Sequence, residues 1–346
     1  MILLAIESSC DETAAALLEV APHQELPTTL VLSDVVASQI EEHAPYGGVV
    51  PELASRRHLT AILPVIRRAL AAAGRTLDDV EALAVTAGPG LVGSLLIGIQ
   101  VAKAIAHAKH LPLVGVNHLA AHLLSSHLQR KAGPSPAPSF PYVGLVASGG
   151  HTALYAVWGM ERFAQLATTR DDAAGEAFDK VGKLLGLPYP GGPAIDAAAD
   201  GIEPGDLRFP RGLDRKDTLD FSFSGLKTAV ADHLRARREP PDHDEVRRVA
   251  AAFQESVVAS LVKKALLACQ RLDIPRLTLG GGVAANGGLR RSMAEACRAA
   301  GVELFLPARS DCTDNAAMVG LAAVPRLRRG EEDGGSLGAR SSWPIG

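Results

Sequence analysis

Apolar and polar positions follow one another along this chain in a recurring arrangement. MILLAIESS is an apolar run that ends in hydroxyl residues, and TAAALLEV resumes the run at once, which predicts strand, turn, strand. The arrangement returns at Tyr142 to Trp158, where YVGLVASGGHTALYAVW again sets a small polar turn between two apolar runs. This repetition predicts two related halves. Between the copies the period lengthens: SRRHLTAILPVIRRALAAAG has helical spacing and stops on Gly74. EALAVTAGPG then reads as a strand running into a glycine-rich turn, and LVGSLLIGIQVAKAIAHA as an apolar helix. In the second half DEVRRVAAAFQESVVASLVKKALLACQRL is a long amphipathic helix, and PRLTLGGGVAANGGLRRSMAEACRAAG reads strand, glycine turn, helix. The prediction is α/β throughout. KAGPSPAPSFP, from Lys131 to Pro141, is a Pro/Ser-rich connector and places the boundary between the halves.

Composition adds bounds. At 346 residues the chain exceeds the roughly 250–300 residues over which a single core keeps growing, so two lobes are expected. Hydrophobic residues at 47% and charged ones at 21% exclude a disordered or fibrous chain. Lys and Arg number 35 against 38 Asp and Glu, a net charge of -3, so any polyanion partner must meet a local basic patch. Cys10, Cys269, Cys297 and Cys312 form no CxxC pair, which argues against a disulfide framework or a zinc knuckle and fits a reducing cytosol. MILLAIESSCDET lacks a basic leader and meets Glu7 too early for a signal-peptide core or membrane span.

His118 and His122 in VNHLAAHLLSSHL are four apart in a helical pattern, so both imidazoles fall on one face and suit one metal ion. With 11 histidines in the chain the spacing also arises by chance, and a plain helix surface is the alternative. A zinc-protease helix is not the reading, because Leu119 stands where HExxH needs its glutamate. Glycine turns at Gly88–Gly93, Ser148–Gly150 and Gly280–Gly282 each suit a phosphate or serve the backbone alone; three in an α/β chain point toward a nucleotide cleft. Asp171, Asp172, Glu176, Asp179 and Asp196 surround a helix and a Pro/Gly loop, where a solvated face is the simpler reading. Asp311 and Asp314 precede an apolar helix; an N-cap is the default for either, and Asp314 is the candidate to complete a metal site.

Taken together, AIESSCDET, HAPYGGVVPELASRRH, GPGLVGSLLIG, VNHLAAH, ASGGHT, DDAAGEAFDKVGKLLGLPYPGGPAID, DFSFSGLKTA, GGGVAANGGLR and CTDNAAMVG closely resemble the bacterial tRNA N6-adenosine threonylcarbamoyltransferase family, in order from Met1 to about Leu321. The resemblance implies two actin-like, sugar-kinase-like lobes around a central nucleotide cleft: 1–133 with 308–330, then 134–307, then a tail at 331–346. It implies transfer of threonylcarbamoyl from threonylcarbamoyl-AMP to N6 of the adenosine 3' of the anticodon, in tRNAs reading A-starting codons. It also implies that His118, His122 and Asp314 hold a divalent metal, described as iron, with zinc as the alternative. Val146, Ala147, Ser148, Gly149, Gly150, Asp179, Gly192, Asp196 and Asn286 match the positions that hold the adenylate and its threonylcarbamoyl arm. No general base is assigned. Leu119, Ala120 and Ala121 depart from a more usual Met, Glu and Gly, and VASGG from a more usual Val before the Ser.

The resemblance implies two protein partners, a catalytically silent paralogue and a small ATPase, and a cytoplasmic location with no membrane contact. SLLIGIQVAKAIAHA is the candidate partner surface. Arg235, Arg237, Arg238, Arg247 and Arg248 are candidate tRNA phosphate contacts, with solvated helix faces as the alternative. An ATP-dependent phosphotransferase is the competing reading, since the same fold hosts kinases. A non-catalytic scaffold is the third, and the retained His118, His122 and Asp314 argue against it.

Overall fold

The computed structural model describes residues 1–21, 29–130, 136–215, 217–237 and 239–345, and within them builds two sheets. In the first half the strands are β1 (Ile2–Glu7), β2 (Glu12–Val20), β3 (Thr29–Ser38), β4 (Ala82–Gly88), β5 (Leu113–Asn117) and β6 (Gln129–Arg130). In the second they are β7 (Tyr142–Ala147), β8 (Thr152–Gly159), β9 (Arg162–Thr168), β10 (Arg276–Gly280) and β11 (Glu303–Phe305). The first sheet runs β5-β4-β1-β2-β3-β6 and the second β11-β10-β7-β8-β9. Each contains an antiparallel meander of three strands, extended on its first strand by two parallel ones. The repeated strand, turn, strand pattern in the sequence is therefore the start of a duplicated sheet.

The helices are α1 (Ile40–His43), α2 (Pro51–Ala73), α3 (Val92–Lys109), α4 (His118–Leu124), α5 (Ala174–Leu184), α6 (Gly191–Ala199), α7 (Ser224–Arg235), α8 (His243–Leu272), α9 (Gly287–Ala300), α10 (Arg309–Cys312) and α11 (Ala316–Arg328). The stop read at Gly74 is a left-handed cap with φ 64°, a conformation that costs glycine little.

β1 shows how the first sheet is buried. Successive side chains point to opposite faces, so Leu3 and Ala5 join the core under α11 while Ile2, Leu4 and Ile6 join the core under α2 and α3. With both faces covered the strand is apolar throughout, as the run MILLAI required. The second sheet carries its main core against α5 and α8, where Phe178 and Phe253 meet edge to face at 5.2 Å.

α11, late in the chain, returns to the first sheet and packs on β1, β2, β4 and β5. The segment after it also lies on that sheet: Leu337 is buried in the first core, and the Arg340 amide donates to the Ala87 carbonyl at 2.8 Å. α4 bridges the sheets, touching β5 and β4 on one side and β7 and β10 on the other. The Arg329–Glu161 ion pair adds a second link between α11 and the β8–β9 turn. The residues carrying chemistry therefore sit where the carboxyl ends of parallel strands from both sheets converge, the crevice position expected of open α/β sheets.

Candidate metal centre and nucleotide cleft

β5 ends at Asn117, whose side-chain oxygen accepts the amides of Leu119 and Ala120 at 2.9 and 3.2 Å and so caps α4. That cap places His118 and His122 on the first two turns, with ring centroids 4.6 Å apart and planes nearly perpendicular. Asp314 reaches them from the loop between α10 and α11: its Oδ1 lies 3.4 Å from His118 Nε2 and 3.1 Å from His122 Nε2. The default N-cap reading of Asp314 does not hold, because Asn315 caps α11 by accepting the Met318 amide at 3.0 Å. Asp311 is committed elsewhere, paired with Arg130 together with Asp34.

One ligand atom from each of His118, His122 and Asp314 falls within 4.8 Å of the others. Two buried imidazoles and one half-buried carboxylate, converging on one point, form a donor set that suits Fe(II) or zinc. The charges of these groups depend on one another. Burial alone would lower the His118 pKa, but Asp314 and Glu7 outweigh it and hold it well above the ordinary value. Burial alone would raise Asp314; the two imidazoles hold it well below the carboxylate range. His122, with burial dominant, is lowered. Leu119, Ala120 and Ala121 are all buried, Leu119 against Tyr142 and Val146, Ala121 beneath α11; these departures from the usual sequence act as packing residues.

The glycine turns adjoin this centre. A Cβ on Gly280 would lie 2.7 Å from the His122 carbonyl oxygen, and one on Gly281 2.4 Å from that of Ala147, so β10, α4 and β7 meet backbone to backbone. In the turn after β7 the Ser148 amide is used by the His151 carbonyl at 2.7 Å, while Gly149 and Gly150 stand exposed in open space. Gly175 approaches the same turn, where an added Cβ would fall 2.6 Å from the Ser148 carbonyl oxygen. Val146 and Ala147 are buried strand residues that carry the turn.

On the far wall Asp179 accepts the Gly191 amide at 2.8 Å, next to Gly192; burial pushes its pKa up to about 6. Asp196 accepts the amides of Gly287 and Gly288 at 2.7 and 3.2 Å, joining α6 to the start of α9. Asn286 caps α9 through the Leu289 amide and donates to Gln254 at 2.7 Å. The structure brings His118, His122 and Asp314 together and gives Asp179, Asp196 and Asn286 backbone duties that spacing did not suggest.

Sequence reasoning missed Glu7, which is fully buried at the end of β1 and bonded to His118. A lone carboxylate closing an apolar strand was the available signal. The candidate tRNA contacts are engaged by neighbouring groups. Arg235 pairs with Asp232, Arg237 and Arg248 share Glu245, and Arg247 donates to the Ala198 carbonyl at 3.4 Å. Arg238 lies outside the described residues. Of the expected partner surface, Leu95, Ile99 and Ala102 face the core and Leu96 is exposed; Val92, just before it on α3, and Leu59 and Leu63 on the neighbouring α2 are exposed as well. Among the described residues no helix is long and apolar enough to cross a membrane.

Comparison with solved structures supports the fold. The chain is similar to full-length HypF in its phosphate- and nucleotide-bound form, at 13% identity and TM-score 0.61, covering 94% of this chain and 55% of that one. It is also similar to the activator of the 2-hydroxyisocaproyl-CoA dehydratase from Clostridium difficile, at 12% identity and TM-score 0.53, covering 95% and 97%. The architecture is the two-lobed actin-like, sugar-kinase-like one. Among curated relatives, a tRNA N6-adenosine threonylcarbamoyltransferase of Anaeromyxobacter sp. (strain Fw109-5) is 50% identical over 346 residues, all of both chains. One of Geobacter metallireducens is 50% identical over 345 residues, covering 100% of this chain and 97% of its own. The TsaD family model, described as tRNA N6-adenosine threonylcarbamoyltransferase, matches residues 30–321, and with these full-length relatives it establishes that the chain belongs to that family.

Proposed function

We propose that this protein transfers threonylcarbamoyl from threonylcarbamoyl-AMP to N6 of the adenosine 3' of the anticodon in tRNAs reading A-starting codons. The observation that carries the reading is the placement of the His118, His122 and Asp314 donor set directly beside the Gly280–Gly281 and Ser148–Gly150 turns. A nucleotide held at those turns presents its acyl group toward the buried donors. N6 attacks the carbamoyl carbonyl carbon, the bond from that carbon to the phosphate oxygen breaks, AMP leaves, and the amine proton passes to solvent. The mixed anhydride is already a reactive acyl donor, so positioning supplies much of the rate.

Gly149 and Gly150 offer open backbone to the phosphate, and Asp179 and Asp196 offer carboxylate oxygens to the ribose hydroxyls. His118, His122 and Asp314 would hold the metal, iron by preference and zinc as the alternative. When bound, it supplies a Lewis acid that polarises the carbonyl or grips the threonyl arm. The exposed leucines of α2 and α3 are the contact for the silent paralogue, which with the small ATPase completes the assembly. Charge reversal at Arg235, Arg237, Arg247 or Arg248 weakens tRNA binding and flattens its salt dependence if these residues meet phosphates; an unchanged titration removes them from the interface. A tRNA substrate places the reaction in the cytoplasm. We propose lobe limits of 1–133 with 308–330 and 134–307, with a tail at 331–346.

The test is transfer of labelled threonylcarbamoyl from pre-formed adenylate to unmodified tRNA, with wild type and His118→Ala, with and without the partner proteins. Transfer lost in the variant supports the reaction and its site. Hydrolysis of ATP with a small-molecule acceptor and no transfer supports a phosphotransferase instead.

A further inference from the structure

We infer that Glu7 is a positioning residue that fixes the tautomer of His118 and so makes His118 Nε2 a metal ligand. This rests on the reading that His118, His122 and Asp314 bind a metal, and concerns a residue outside that donor set.

Glu7 is 0% exposed and closes β1, where the parallel strands β1 and β4 deliver their carboxyl ends beneath α4. Each oxygen is engaged. Oε1 accepts the Ser9 amide at 2.5 Å; Oε2 accepts the Thr86 hydroxyl at 2.6 Å and faces His118 Nδ1 at 3.1 Å. An ionised carboxylate only accepts, so the proton shared with the imidazole resides on His118 Nδ1. Ser9 Oγ, 3.3 Å from the same nitrogen, is the only other polar partner of Nδ1 among the described residues. With Nδ1 turned to Glu7, Nε2 is the nitrogen that faces the point shared with His122 and Asp314 and would give its lone pair to a metal there. This is the arrangement in which a carboxylate behind an imidazole orients the ring and raises its basicity. His122 provides the contrast: its Nδ1 is buried with no hydrogen-bond partner among the described residues, where of the two histidines only His118 is held from behind.

Three donors converge on Glu7, and this gives Glu7→Gln a definite consequence. The Ser9 amide fixes the Gln oxygen at the Oε1 position and leaves its NH2 facing Thr86 and His118. A donor at that place demands an accepting Nδ1, which moves the imidazole proton to Nε2 and blocks the ligand position.

The experiment measures metal affinity of the full-length apo protein by Co(II) and Zn(II) titration against a chromophoric chelator, for wild type, Glu7→Gln and Thr86→Val. Thr86→Val removes a hydrogen bond to Glu7 but keeps the carboxylate, and so reports any purely structural effect. The expected result is a 10- to 100-fold loss of affinity in Glu7→Gln and near wild-type affinity in Thr86→Val. Equal affinity in wild type and Glu7→Gln overturns the inference, as does an equal loss in both variants. No metal binding by wild type overturns the metal reading itself, and is thereby distinguished from failure of the Glu7 role. Should Glu7→Gln not fold, NMR of zinc-loaded wild type decides: a strongly downfield, slowly exchanging His118 Nδ1 proton, as in a hydrogen bond to a carboxylate, supports the inference, and an Nδ1 proton with the shift of an unbonded ring N–H overturns it.

Discussion

The backbone of Gly281 passes Ala147 so closely that a Cβ on Gly281 would stand 2.4 Å from the Ala147 carbonyl oxygen. Gly281 also adopts φ 85° and ψ 159°, a region essentially reserved to glycine. Gly281→Ala therefore suffers both backbone strain, about 1–3 kcal/mol, and a clash with a strand that cannot yield. The expected outcome is a lower Tm together with at least a tenfold loss of AMP affinity, measured by thermal melts and calorimetric titration.

Asp196 occupies the amino end of α9 through the Gly287 and Gly288 amides, a service rendered from α6. Its removal takes the acceptor from two partly buried amides and loosens α6 from α9. Asp196→Ala is expected to cost about 1–2 kcal/mol, the range for losing a helix cap. Asp196→Asn, which keeps one accepting oxygen, should lose less. Melting temperatures of the two variants measured side by side provide the check.

Asp179 carries a carboxyl pushed up to about 6, with burial as the main cause and the Gly191 amide opposing it. The ionised form accepts ribose hydroxyls better than the protonated form. Adenosine affinity should fall as pH drops through about 6 and be constant well above it. Asp179→Asn should flatten that profile; adenosine is the suitable probe because it lacks a phosphate titrating in the same range.

His127 is buried against Phe140 and Tyr142, and burial lowers its pKa to about 4. Between its ordinary value of 6.5 and 4 the unfolded chain binds a proton that the folded one refuses. The folded state is unpenalised above 6.5 and loses stability as pH falls through that window, by about 1.4 kcal/mol per unit. His127 Nε2 is buried with no hydrogen-bond partner among the described residues, so His127→Phe also removes an atom unsatisfied there. The variant should match or exceed wild-type Tm near neutrality and show a shallower loss of Tm toward pH 4.5.

Much of this molecule was legible in one dimension. Alternation and helical spacing delivered β1, β2, β7, β8, α2, α3 and α8, because burial on one face imposes a period that is local to each element. The repeated turn foretold the duplicated sheet, and the motif set pointed to His118, His122 and Asp314. What only the tertiary structure decided concerns residues that act across long separations. Asp314 lies 192 residues from His122, and it shared the default N-cap reading with Asp311 until Asn315 took the cap and Arg130 took Asp311. Glu7 was one acidic residue at a strand end until folding set it behind His118, 111 positions away. Periodicity records which face of an element is dry; it carries no record of which distant side chain arrives there, and hydrogen-bond partners are chosen only when the sheets have closed on α4.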